Sequence, residues 1–243
     1  MTRRRWIADR WTDNSATLLD AQAAHLARVL RAQIGQQFDI VAGNAVRRGV
    51  IEQIAAEAIE FSLHEELPPT QTCPLIVALS IVRFERMEWA IEKLTELGVA
   101  RIIPLVAQRS EKHLVQSAAK RCERWQKISR ESAQQSRRAG VPEISIPMSV
   151  PDCIAEPKSS LRLLLSEDER TQSLWESLMT TAGPATASQE IYAAIGPEGG
   201  WTPSEFSTFA QAGWRSVSLG PNILRTETAA IAVASILNAW WTG

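Results

Sequence analysis

Ile191-Tyr192-Ala193-Ala194-Ile195-Gly196-Pro197-Glu198-Gly199-Gly200-Trp201 is a run of five apolar residues that breaks into a glycine-bearing loop. A second stretch repeats the plan: Val217-Ser218-Leu219 runs into Gly220-Pro221-Asn222-Ile223-Leu224-Arg225-Thr226-Glu227-Thr228. Both read as a buried strand, a loop and then a helix. After the first loop, Thr202-Pro203-Ser204-Glu205 has Thr at the N-cap, Pro at the first helical position and Glu three residues after the cap, which is a capping box. Open α/β sheets bind ligands beyond the carboxyl ends of their strands, so both loops are expected to border a ligand crevice.

The loops also describe the ligand. Glycines let backbone N–H and C=O groups approach a bound molecule closely. Glu198, in the middle of the first loop, would repel phosphate. Ile195, Leu219, Ile223 and Leu224 supply apolar walls. Such a pocket suits a flat ring, hydroxyls and a cationic centre, as in S-adenosylmethionine. From these residues alone, a second reading stays open: the glycines only form tight turns.

Alternation of strands and helices continues upstream. Residues 75–79 form a continuous apolar strand. Residues 85–97 carry Met87, Ile91, Leu94 and Leu97 on one helical face and stop at Gly98. Residues 102–106 and 161–165 read as further strands, 117–137 as one long helix, 171–179 as a helix and 226–241 as the last one. This pattern predicts a mainly parallel sheet covered on both faces. Before it, residues 1–70 read as a small β-rich unit. Asp20 is expected to cap a short helix carrying Leu26, Val29 and Leu30. A hairpin turns at Ala42-Gly43-Asn44, and Ile59, Phe61 and Leu63 alternate with polar residues in a strand with one buried face. Leu67-Pro68-Pro69-Thr70-Gln71-Thr72 is the candidate linker, giving domains at 1–70 and 71–243.

With 243 residues and 45% hydrophobic side chains the chain can bury a sizeable core. No apolar run is long enough to span a membrane, and no signal peptide is evident, so the expectation is a cytoplasmic protein without a membrane partner. Cys73, Cys122 and Cys153 have no paired spacing and read as free thiols; His25, His64 and His113 show no ligand spacing, so no metal is expected. The net charge of −1 conceals a segregation. Residues 109–138 hold nine Lys/Arg against three Asp/Glu, whereas 139–243 hold five against eleven. A local basic patch is the electrostatic footprint of RNA binding. On the long helix, Ala118, Cys122, Trp125 and Ile128 read as core, with Lys120, Arg124, Lys127 and Gln134 opposite. Arg137 and Arg138 end that helix and are expected to reach forward into a cleft.

The two glycine loops, together with His25-Leu26-Ala27-Arg28-Val29-Leu30-Arg31, Thr95-Glu96-Leu97-Gly98-Val99, Arg109-Ser110 and residues 135–142, resemble one methyltransferase family along nearly the whole chain. It is the RNA small subunit methyltransferase E family of the SPOUT superfamily, which methylates N3 of a uridine in 16S ribosomal RNA. The resemblance implies a PUA-like RNA-binding domain over 1–70, with Arg5, Arg28 and Arg31 as phosphate contacts. Over 71–243 it implies a SPOUT domain with a C-terminal trefoil knot. It also implies S-adenosylmethionine as cofactor, a homodimer, and the 30S subunit or its RNA as partner. The cofactor site would comprise Leu165, Gly196, Glu198, Gly199, Gly200, Leu219, Gly220, Ile223, Leu224 and Thr228. The resemblance puts Gln135 and Arg138 beside the active site, with Gln135 holding RNA; the basic face of the long helix itself offers Arg124 and Lys127 as further RNA contacts.

Arg225, just before the last helix, is the residue expected to act in methylation, by stabilising charge on a deprotonated uracil. Its competing reading is a salt bridge to Glu227 or Glu198. Three departures from the family pattern stand out: Asn222 occupies a place where Arg is common, Gln134 one where an acid is usual, and the N-terminal turn reads Ala42-Gly43 where an acidic residue and Gly are often found. Rival readings are a SPOUT ribose 2′-O-methyltransferase and a ribosome-assembly factor without catalysis.

Overall fold

The computed structural model describes residues 5–43, 45–68, 73–156, 160–181 and 190–242. The chain divides into two compact units. One comprises Met1–Gln71 and Ala133–Val141, the other Thr72–Ser132 and Pro142–Gly243. Arg3, Arg4, Asn44 and the last four residues of the expected linker, 69–72, lie outside the described residues.

The first unit is a six-stranded sheet. Its strands are β1 (Arg5–Ile7), β2 (Arg10–Trp11), β3 (Ser15–Leu19), β4 (Gln37–Ala42), β5 (Ala45–Ile54) and β6 (Ala58–Glu66), in the order β1-β4-β5-β6-β3-β2. The expected hairpin is β4–β5, with Ala42 opposite Ala45 and Gly43 at φ +63°. Ile59, Phe61 and Leu63 are buried, as their alternation requires.

The helix differs from expectation. Helix α1 (Asp20–Ala24) has Leu19 at its N-cap and no side-chain cap; Asp20 is its first residue, at φ +47°. The carboxylate serving this corner is Asp9, whose Oδ2 accepts from the Leu19 N–H at 2.8 Å and from Gln22 Nε2 at 3.1 Å. A π-helical turn follows over His25–Val29, closed by Leu30 N–H to His25 O at 3.1 Å. That wider turn rotates the chain: Leu26 is buried but Val29 is 65% exposed.

In the second unit, strands and helices alternate: β7 (Leu75–Ser80), α2 (Phe84–Glu96), β8 (Arg101–Val106), α3 (Lys112–Ala118), α4 (Cys122–Gln135), β9 (Glu143–Ile144), β10 (Met148–Ser149), α5 (Val150–Ala155), β11 (Ser160–Leu165), α6 (Leu174–Met179), β12 (Glu190–Ile195), α7 (Pro203–Gln211), β13 (Arg215–Val217) and α8 (Thr226–Thr242). The sheet order is β10-β8-β7-β12-β11-β13, with β9 also on β8, and every pairing is parallel. Period-two alternation divides its side chains between two cores. Leu75, Val77, Leu79, Ile191, Ala193 and Ile195 join Met87, Ile91 and Leu94 of α2 and Val233 and Leu237 of α8. Ile76, Ala78, Tyr192 and Ala194 face Cys153 of α5 and Phe209 of α7. Each fully buried aliphatic side chain contributes roughly 1.5–3 kcal/mol.

The expected helix over 117–137 is broken and begins earlier. Helix α3 starts at Lys112, a 3₁₀ turn occupies Ala119–Arg121, and α4 continues from Cys122. Ala118 and Trp125 are fully buried, so the apolar face runs through the break. Helix α6 starts at Leu174, where Ser173 and Glu176 form a capping box, and Thr171 precedes it. Strand β13 stops at Val217, leaving Leu219 in the loop.

Candidate functional site

Parallel strands carry their carboxyl ends to one edge of the sheet, and the segments leaving β11, β12 and β13 converge there. They enclose a cavity of 420 Å³, lined by 165–168, 195–198, Gly200, Trp201, Leu219, Gly220, 222–226, Ala229, Arg86 and Arg109. This lies within the ~300–1,000 Å³ range of small-molecule sites.

Local interactions fix the frame. Trp201 folds beneath the first loop and donates from its indole N–H to Leu165 O at 2.9 Å. It also packs edge-on to Phe209 at 5.0 Å. A Cβ at Gly196 would stand 3.2 Å from that indole, so any side chain there would have to push the ring back. Gly200 takes φ +68°, which closes the turn through Gly200 N–H to Pro197 O at 2.8 Å. The capping box of Thr202 and Glu205 forms as the sequence predicts. Glu205, buried, also accepts the Gln108 N–H at 2.8 Å and so ties α7 to the loop after β8. Arg109 Nη1 donates to Gly199 O at 2.7 Å and to Trp201 O at 3.3 Å. Thr226 Oγ1 donates to Gly196 O at 2.9 Å, joining the start of α8 to the first loop.

The acids expected to compete for Arg225 are engaged elsewhere. Arg86, in the first turn of α2, binds Glu198 through Nη1, and its Nε lies 3.7 Å from Glu227 Oε1. Among the described residues Arg225 makes no ion pair. Its carbonyl accepts the Ala229 N–H at 2.8 Å, the opening bond of α8, and its exposed side chain lines the cavity. Ile223, 77% exposed, and Leu224, 37% exposed, offer apolar surface to an incoming ligand.

Of the residues expected at the cofactor, Leu165, Gly196, Glu198, Gly200, Leu219, Gly220, Ile223 and Leu224 line this cavity, with Arg225. Gly199 and Thr228 do not. A Cβ on Gly199 would meet Arg109 at 3.4 Å rather than the cavity. On α8, Thr226 and Ala229 share the cavity face, and Thr228 turns to solvent because each residue advances the helix by about 100°.

Arg138 is also absent from the lining. It belongs to Ala133–Val141, which clusters with the first unit, where burial pushes its guanidinium down to about 10. The helix ends there in a Schellman motif, with Arg138 N–H to Ala133 O at 2.9 Å and Arg137 N–H to Gln134 O at 3.2 Å. Arg137 takes the left-handed position at φ +58°, and its carbonyl accepts from Arg5 Nη1 at 2.7 Å. Arg28, Arg31, Lys127 and Gln135 are exposed. Arg124 is exposed but bound to Glu88 through two bonds of 2.6 and 2.8 Å, which raises its pKa.

Sequence reasoning missed Arg86, Ser166, Glu167 and Asp168, and gave Arg109 and Trp201 no role. Residues 166–168 follow the recognised strand 161–165, so the rule that ligands bind at strand carboxyl ends could have found them.

Residues 69–238 match the family model of an RNA methyltransferase domain. Ribosomal RNA small subunit methyltransferase E of Synechocystis is 34% identical over 93% of this chain and 73% of its own length. The Mycobacterium bovis protein of the same name is 30% identical over 89% of this chain and 84% of its own. Among solved structures, the Neisseria gonorrhoeae enzyme of that name, bound to S-adenosyl methionine, superposes with a TM-score of 0.80. It has 27% identity and covers 99% of this chain and 98% of its own. A Legionella pneumophila methyltransferase with bound cofactor gives 0.79 at 28% identity, over 98% of both chains.

Proposed function

Because the chain belongs to the RNA small subunit methyltransferase E family, we propose that it transfers the methyl group of S-adenosylmethionine to N3 of a uridine in 16S ribosomal RNA. The observation that carries this reading is the coincidence of the cavity with the two glycine loops, Arg225 at its rim free of both nearby acids.

The cavity fits the cofactor in size and chemistry. Leu219, Ile223, Leu224 and Ile195 supply apolar faces for a purine, and backbone groups at Gly196, Gly200 and Gly220 can approach a polar edge. Glu167 and Asp168 provide negative charge suited to a sulfonium and an ammonium. When bound, S-adenosylmethionine supplies an electrophilic methyl group with a neutral thioether as leaving group. What the protein contributes is orientation and preparation of the nucleophile. Uracil N3 must lose its proton before or during attack, and the negative charge then spreads to the ring oxygens. The Arg225 guanidinium is placed to stabilise that charge. Glu198 and Glu227 serve the frame through Arg86.

The same reading makes residues 1–70 a PUA-like domain that docks RNA, with the exposed Arg28 and Arg31 in support. It makes residues 71–243 a knotted SPOUT domain in a cytoplasmic homodimer acting on the 30S subunit. No helix among the described residues is long and apolar enough to cross a membrane.

The test supplies radiolabelled S-adenosylmethionine with 30S subunits and, separately, with naked 16S RNA, followed by nucleoside mass spectrometry. 3-Methyluridine is the expected product. A ribose 2′-O-methyl product, or no binding of the cofactor, overturns the reading.

A further inference from the structure

Three segments remote in sequence meet at one guanidinium. Arg86 lies in the first turn of α2, Glu198 at the tip of the loop after β12, and Glu227 in the first turn of α8. Glu198 is 45% exposed at its side chain, Arg86 28% and Glu227 6%. The two arms therefore differ in kind. Burial makes the Glu227 carboxylate costly without a nearby cation, and its Oε2 has no hydrogen-bond partner among the described residues. The Glu198 arm is partly solvated and adds little to stability by itself. What it does is geometric, since Glu198 stands between the cavity-lining Pro197 and Gly200, and Thr226 beside Glu227 already holds Gly196 O.

We propose that Arg86 is a positioning residue for the cofactor, a clamp that holds the loop after β12 against the first turn of α8 so that the cavity keeps its width before ligand enters. The inference rests on the cofactor assignment made above. Arg86 acts through its two acids: Glu227 keeps the guanidinium seated, and the seated guanidinium restrains Glu198. A planar fork suits this task because it holds donors on separate nitrogens at a fixed spacing, whereas an ammonium gathers its charge and its rotatable donors on one nitrogen.

The experiment is titration of the purified full chain with S-adenosylmethionine, paired with thermal unfolding. It compares the parent, Arg86→Gln, Arg86→Lys, Glu198→Gln and the Arg86→Gln/Glu198→Gln double variant. Arg86→Gln is expected to weaken binding about tenfold, the low end for a hydrogen bond to a charged group. Glu198→Gln is expected to weaken it several-fold while unfolding at the parental temperature, because the Arg86–Glu227 pair is intact. Arg86→Lys should recover part of the loss. The double variant should bind no more weakly than Arg86→Gln, since both changes release the same clamp. Parental affinity in Arg86→Gln and Glu198→Gln, or losses that multiply in the double variant, overturns the proposal. Should Arg86→Gln fail to fold, Glu198→Gln and Arg86→Lys still decide it. A parent that does not bind S-adenosylmethionine refutes the cofactor assignment instead, and the two failures are thereby distinguished.

Discussion

Adding one methyl group at Gly196 tests the frame of the cavity, and adding one at Gly199 is its control. The Gly196 Cβ would lie 3.2 Å from both Cε2 and Nε1 of Trp201 and 3.5 Å from Cδ1. Gly196 is not among the positive-φ glycines, so its backbone accepts alanine and only the contact matters. Trp201 must retreat by a few tenths of an ångström. It has little room, being 9% exposed, bonded to Leu165 O at 2.9 Å and packed on Phe209. Overpacking of this sort costs roughly 1–3 kcal/mol. Loss of the indole hydrogen bond would add about 0.5–1.5 kcal/mol. For a protein of this size each kcal/mol lowers the melting temperature by roughly 2–4 °C. Gly196→Ala is therefore expected to melt several degrees lower and, because Trp201 lines the cavity, to bind S-adenosylmethionine more weakly. At Gly199 the new Cβ meets Arg109 at 3.4 Å, an ordinary contact with a long side chain, so Gly199→Ala should stay within about 0.5 kcal/mol of the parent. Calorimetric melting and cofactor titration check both variants. If Gly196→Ala matches the parent in both, or Gly199→Ala loses as much, the reasoning from these distances is wrong.

Arg225→Ala should lower the single-turnover rate by about 10²–10³ while leaving cofactor and RNA affinities near the parent's, since its charge partner exists mainly in the transition state; a loss confined to affinity would make it an RNA-holding residue. Replacing Arg28, Arg31 and Lys127 together by Gln should flatten the dependence of RNA affinity on log salt by roughly 0.7 per lost phosphate contact. Adding Arg124→Gln should change that slope little, because Glu88 already neutralises this side chain. Burial pushes the thiols of Cys73 and Cys153 up to about 12 and raises Cys122 less. Alkylation at pH 8 is therefore expected to reach half-buried Cys122 first. The same shifts have a sign: thiols with raised folded pKa add stability that is complete below the unfolded value near 9 and is lost as pH climbs toward 12. Denaturant unfolding at pH 8 and pH 10.5 measures it, and a stability that rises over that interval contradicts the assignment.

The parallel sheet was legible because its strands carry continuous apolar runs and its helices carry stripes at helical spacing. Residues 75–79 and 191–195 alternate between two cores, and both the length of each run and its punctuation by glycine or proline appear in the sequence. Boundaries were less legible where tertiary hydrogen bonds decide them. The break at Ala119–Arg121 interrupts neither the apolar face nor a run of good helix formers, so no local signal marks it. The π turn at His25–Val29 is similar. Helical periodicity puts Val29 beside Leu26, and only the widened turn carries it out to solvent. Asp20 has a side chain suited to capping, but Asp9, eleven positions earlier, occupies the hydrogen-bonding position at that corner.

At the site, legibility followed sequence distance. Gly196, Gly200, Leu219, Ile223, Leu224 and Arg225 announce themselves because loop, strand end and helix start are contiguous, and their convergence follows from parallel topology alone. The role of each charge did not. Arg225 has Glu227 two residues away and Glu198 across the crevice, so proximity in sequence favours an ion pair. Arg86, more than one hundred positions upstream, takes both acids. The reason is helical geometry: Glu227 is the second residue of α8 and two positions beyond Arg225, so about 200° of rotation separates its side chain from the Arg225 direction, toward α2 and away from the cavity mouth. A carboxylate there is only 6% exposed and requires a cation from a packed neighbour, which the first turn of α2 supplies. Burial of Glu227 thus fixes Arg86, Arg86 occupies Glu198, and Arg225 is left at the rim with its charge uncommitted.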